Sequence, residues 1–120
     1  MTTNRFEPRV RREAGVGVIE LNGDIDAFAE EALNTAYEQA AQENASPILL
    51  NFEGTGYINS TGIALIVALL ARARKERRQV MASGLSEHYR EIFQITRLAD
   101  FMTIYPDEAT ATTEAASATT

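Results

Sequence analysis

The chain has 120 residues, a formal net charge of −6, no cysteine and a single histidine, His88. That length holds one domain around one core. The missing cysteines exclude disulfides, thiol nucleophiles and thiolate metal sites, and a lone imidazole excludes patterns that need two. An acidic balance argues against nucleic acid as a partner, because phosphate contacts need clustered cations, and no apolar run is long enough to span a membrane.

The opening MTTNRFEPRV has no apolar segment behind a basic start, so the expected address is the cytoplasm. In VRREAGVGVIELNGDID, Val16, Val18 and Leu21 alternate with small or polar residues between Gly15 and Gly23. This reads as a strand paired with the preceding RFEPRVRRE through a turn at Ala14-Gly15. From Ala27 to about Asn44, Ala29, Leu33, Ala36, Tyr37 and Ala40 follow the helical period, with Asp26 as the N-cap. Ser46-Pro47 ends the helix, and ILLNF, residues 48–52, is a strand covered on both faces.

After Gly54 and Gly56 a helix is expected from about Thr61 to Arg77, with Ile63, Ile66, Leu69 and Leu70 in the core and Ala64, Val67 and Ala68 outward. QVMAS is a further short buried strand. Ser86 caps a helix in which Tyr89, Ile92, Phe93 and Thr96 share a face, and FMTIY is the last strand. The order β-β-α-β-α-β-α-β implies mostly parallel pairing with right-handed crossovers. Residues 1–106 form the domain. Residues 107–120, DEATATTEAASATT, offer no large apolar side chain and are expected to make a weak helical turn, then a disordered tail that adds nothing to stability.

The segment that calls for chemistry is GYINSTGIALIVALL, residues 56–70. Asn59 or Ser60 is the N-cap of the helix. One cap needs one oxygen, yet Asn59, Ser60 and Thr61 supply three, and Gly62 weakens the helix by roughly 0.5 to 1 kcal/mol relative to alanine. Such a bare helix start suits a bound or covalently attached phosphate. The run RARKERR, Arg72 to Arg78, reads first as charge that complements a helix C-terminus and solvates its last turn, with a binding patch as the alternative. Asp24 and Asp26 read most simply as turn and cap, His88 as a surface side chain, and Gly54 with Gly56 lacks the lysine of a phosphate-binding loop.

LNGDIDAF, ILLNFEGTGYINSTGIALIVALLARARKERRQV and GLSEHYREIFQITRLADFMTIY together resemble the STAS-domain family, and within it the bacterial anti-sigma factor antagonists, over residues 6–106. The resemblance implies a single-domain α/β fold: a sheet with an N-terminal hairpin and helices packed mainly on one side. It also implies a function without catalysis or cofactor. The serine of an Asp-Ser-Ser/Thr-Gly motif is phosphorylated by an anti-sigma factor that is also a serine kinase, the unphosphorylated form binds that kinase, and a PP2C-type phosphatase resets the switch. Position by position, Ser60 is the phosphoacceptor and Thr61 and Gly62 complete the motif. Asn59 stands where the family usually has aspartate, and Asn51 replaces a second one. The partner-binding set implied is Asp24, Asp26, Asn59, Ser60, Thr61, Gly62 and Ala64, on a monomer or weak dimer that binds neither nucleic acid, membrane nor metal. The alternatives are a constitutive STAS scaffold or accessory subunit of a larger signalling or transport complex, and an enzyme with Ser60 as nucleophile. The last would need His88 folded against Ser60 together with an orienting carboxylate.

Overall fold

The computed structural model describes residues 4–41 and 46–118. Strands β1 (Arg9–Glu13) and β2 (Val16–Glu20) form an antiparallel hairpin. Its two-residue turn has positive φ at Ala14 and Gly15, the backbone that a tight hairpin requires. Strand β3 (Gly23–Ile25), a 3-10 turn (Ala27–Ala29) and α1 (Glu30–Ala40) follow, then β4 (Ile48–Asn51), β5 (Thr55–Ile58) and α2 (Ser60–Lys75). Strand β6 (Val80–Ser83), α3 (Glu87–Ile95), a second 3-10 turn (Leu98–Asp100), β7 (Thr103–Tyr105) and α4 (Glu108–Ala118) complete the chain.

The main sheet has the order β1-β2-β4-β6-β7, and every pairing after the hairpin is parallel, as the alternation of strands and helices requires. A second, two-stranded sheet pairs β3 with β5 in parallel. Neither short strand is visible as a run in the sequence, yet this small sheet carries the chain into α2.

One face of the main sheet buries Ile19, Ile48, Leu50, Val80 and Ala82 against α1, α2 and α3. Helix α2 contributes Ile66, Leu69, Leu70 and Ala73 to that core, and Ile63 packs half-buried against it. Each fully buried large aliphatic side chain stabilises the fold by about 1.5–3 kcal/mol. Ala64, Val67 and Ala68 face solvent, the division that the helical period dictates.

Two further elements differ from the sequence expectation. Asp26 does act as an N-cap, but of the 3-10 turn, where it accepts the Phe28 N–H; α1 proper begins at Glu30, and its expected extension to Asn44 runs outside the described residues. The segment 107–120, expected to make a weak helical turn and then a disordered tail, forms α4 through Ala118, with residues 119–120 outside the description. Ala111 and Ala115 are buried on the opposite sheet face against Val16, Val18, Leu49 and Met81. Small side chains let the helix lie close to the sheet, and a polar anchor holds its first turn. Glu108 accepts from Arg11 and, at 2.9 Å, from the Asn51 amide, while Arg11 also donates to Glu20 at 2.8 Å.

Candidate functional site

The first turn of α2 is built by division of labour. Asn59, in extended backbone, is the N-cap: its side-chain oxygen accepts the Gly62 N–H at 2.8 Å, and its carbonyl accepts from Ile63 N at 2.9 Å. Its own N–H donates to the Ile25 carbonyl at 3.3 Å, which ties the helix start to β3. Ser60 is therefore the first residue of the helix and not its cap. Its side chain is exposed, and among the described residues its hydroxyl has no hydrogen-bond partner. Thr61 is exposed beside it. The N–H groups of Ser60 and Thr61 have no protein acceptor among the described residues and remain at the positive end of the helix dipole.

Gly62 has a different reason from the one its sequence context suggests. It is buried, and a Cβ there would overlap the Ile25 carbonyl oxygen and lie 2.8 Å from the Ile25 carbonyl carbon. The glycine lets α2 approach the β3 backbone, so it positions the helix start and does not merely leave it bare.

Asp24 and Asp26 also have structural work. Asp24 accepts the Tyr57 N–H at 2.8 Å and an Asn4 amide N–H at 3.4 Å, joining β3 to β5, and Asp26 caps the turn that carries Phe28. From α3, the Tyr89 hydroxyl accepts the Ile58 N–H at 2.8 Å, fixing the strand that delivers Asn59. Asn51 belongs to a separate group: it lies under α4 with Glu108, and its oxygen accepts the Glu53 N–H. No hydrogen bond joins Ser60 to His88, whose ring stands edge-on to Tyr89 at 4.9 Å, so Ser60 has no paired base among the described residues.

What the sequence reading missed is aromatic. Phe28 is 94% exposed and Tyr57 is 66% exposed, both on elements packed against α2. With Ser60, Ala64, Val67 and Ala68 on the outward face of α2, they make a surface with small residues and two projecting rings. Phe28 was detectable, since it falls outside the Ala29, Leu33, Ala36 stripe of the element it introduces. The basic run also divides. Arg72 pairs with Glu76 at 3.3 Å and stacks over Tyr37 at 4.5 Å, whereas Arg78 is buried and donates to the Ser46 carbonyl at 2.7 Å. Arg78 is thus a structural cation and not part of a solvated last turn. Beside it, burial and the bond to Glu76 push the Tyr37 hydroxyl up to about 12.

This architecture is that of a known family. A sequence model of the STAS domain matches residues 7–111, and the chain belongs to the STAS domain family. Among curated proteins, the anti-sigma-B factor antagonist of Staphylococcus aureus is 26% identical over 84 residues, covering 70% of this chain and 78% of that one. Among solved structures, an anti-sigma factor antagonist from Mycobacterium paratuberculosis superposes with a TM-score of 0.77 at 20% identity, over 92% of this chain and 94% of that one. The phosphorylated form of the Bacillus cell fate determinant SpoIIAA superposes with a TM-score of 0.65 at 22% identity, over 89% and 96% of the two chains. Among the described residues, no helix is long and apolar enough to cross a membrane.

Proposed function

We propose that this protein is an anti-sigma factor antagonist, acting in the cytoplasm, which binds an anti-sigma factor serine kinase while unphosphorylated and is released when that kinase phosphorylates Ser60. The observation that carries this reading is the exposed Ser60 hydroxyl at the start of a 16-residue helix, left free because Asn59 does the capping. The likeness to antagonists, among them SpoIIAA, which is solved both unphosphorylated, as an anti-sigma factor antagonist, and phosphorylated, supports the same assignment.

The chemistry is a phosphoryl transfer from the kinase's ATP to Ser60 Oγ, with loss of the hydroxyl proton and departure of ADP. Close to two negative charges are then added to the first turn. The unpaired N–H groups of Ser60 and Thr61 and the dipole of α2 stabilise that charge, so the domain keeps its fold. Asn59 helps in a way that aspartate would not: it caps equally well but adds no like charge beside the phosphate. A partner packed against Ser60, Thr61 and Ala64, with Asp24, Asp26, Asn59 and Gly62 at or beneath the contact, meets both steric clash and a dianion to desolvate. Hydrolysis of the phosphoester by a PP2C-type phosphatase regenerates the hydroxyl.

The test is incubation with the cognate kinase and ATP, followed by mass spectrometric localisation of phosphate and by measurement of kinase binding. Phosphate is expected on Ser60, Ser60→Ala should bind constitutively, and Ser60→Asp should bind poorly. If residue 60 stays unmodified, or if both variants bind like wild type, the switch is wrong and the protein is a constitutive STAS module.

A further inference from the structure

The basic run contains cations that, among the described residues, enter no ion pair and that the phosphorylation switch does not use. Five of the chain's eleven Lys and Arg residues lie between 72 and 78 in a protein of net charge −6. Arg72 and Arg78 are committed to the contacts above. Arg74, Lys75 and Arg77 have no carboxylate within 4.0 Å among the described residues. Arg74 and Arg77 line a groove of about 620 Å³ at the carboxyl-terminal end of α2, the end opposite Ser60. Leu70, Val80 and Met102 contribute its apolar lining, and Phe101, half exposed, stands at its side with the Arg74 guanidinium 5.4 Å from its ring centre. Asp100, the one carboxylate lining the groove among the described residues, is already paired with Arg97 at 2.8 Å. Arg77 itself occupies the left-handed position that closes the helix, φ 58°, where glycine is the unstrained residue. The Arg78 N–H bond to the Ala73 carbonyl, 2.8 Å, helps hold that backbone.

We propose that this groove docks an acidic segment of a partner protein that inserts an apolar side chain between Arg74, Arg77 and Phe101. Charge complementarity selects the occupant: unpaired cations surround an apolar lining, so an acidic flank and an apolar anchor are both accommodated. Nucleic acid fits less well. Two or three free cations on an acidic protein neutralise too few phosphates, and the groove has no second basic strip to follow a backbone.

The probe is a fluorescein-labelled peptide of glutamates around one central phenylalanine, titrated by anisotropy into the full chain. Binding is expected at low salt, weakening as salt rises. Arg74→Glu should raise Kd by about tenfold or more, the equivalent of one strong charge contact. Arg77→Gly should raise it severalfold, and because that variant favours the observed backbone, its loss cannot be ascribed to unfolding. Ser60→Asp should leave Kd unchanged, which separates this surface from the phosphorylation switch. The proposal is overturned if no peptide binds, if both arginine variants bind like wild type, if a peptide with serine in place of phenylalanine binds equally, or if a single-stranded oligonucleotide of equal charge outcompetes the peptide.

Discussion

The Asn59 side chain accepts the Gly62 N–H at 2.8 Å, one turn's span that settles which of two adjacent polar residues starts α2. Because the amide does the capping, the neighbouring Ser60 hydroxyl is spare. A helix start whose stability rests on Asn59 leaves the next side chain free to change without dismantling the helix.

Removing the two side chains should accordingly have unequal effects. Asn59→Ala is expected to lower stability by about 1 kcal/mol, the usual worth of an N-cap. Ser60→Ala should stay within about 0.5 kcal/mol of wild type, as an exposed substitution without a hydrogen bond does. Urea unfolding of both variants measures the difference, and equal losses would return the cap to Ser60.

Gly62→Ala should cost about 1–3 kcal/mol, the range for forcing an added carbon into a packed contact. The methyl group would press on the Ile25 backbone and on Ile58 Cγ2, 3.0 Å away, and so tilt α2 off the small β3-β5 sheet. Kinase binding should weaken along with stability. A variant as stable as wild type would mean that the helix start has room that the backbone geometry denies.

How far these relationships could be read from the sequence depends on their range. The hairpin at Ala14-Gly15, the buried runs at 48–51 and 80–83 and the Ile66, Leu69, Leu70 stripe are local patterns, and each forms where its period places it. The strands GDI and TGYI are too short and too glycine-rich to alternate, and their pairing depends on Asp24 reaching Tyr57 across thirty-three positions. Gly62 looks like a helix weakener until the Ile25 carbonyl is seen beside it. The last helix escapes composition altogether: alanines and threonines bury little area by themselves, and what holds its start is a contact between Glu108 and Arg11, ninety-seven residues apart.

Deleting residues 108–120 tests that helix directly. The truncation uncovers Val16, Val18, Leu49 and Met81 and leaves Arg11 and Asn51 without Glu108. The thermal midpoint should fall by about 5 °C or more, since a few kcal/mol spread over a domain this small moves it that far. An unchanged midpoint would mean that α4 contributes nothing, as its composition alone suggests.

The identity of residue 51 should decide whether α4 can dock at neutral pH. Asn51 Nδ2 donates to Glu108 at 2.9 Å from a site at the carboxyl end of β4 that is 8% exposed. Aspartate there would set two carboxylates against each other with only Arg11 to compensate. Asn51→Asp is therefore expected to destabilise the domain and to expose the α4 segment to proteolysis, and Glu108→Gln in the same chain should recover most of the loss by restoring a donor. The pH dependence carries the same signature. Hydrogen bonding from Arg11, opposed by burial and reinforced by Asn51, holds the Glu108 carboxyl below its ordinary 4.5. A carboxyl depressed in the folded state contributes stability that is present above its unfolded pKa and is lost as pH falls through the folded one. Glu108→Gln should thus be less stable than wild type at neutral pH, with the gap closing as the solution is acidified below 4.5. Denaturant midpoints recorded across that range, for wild type, both single variants and the double, complete the cycle. If Asn51→Asp is neutral, or if Glu108→Gln does not rescue it, the anchor of α4 lies elsewhere than in this pair.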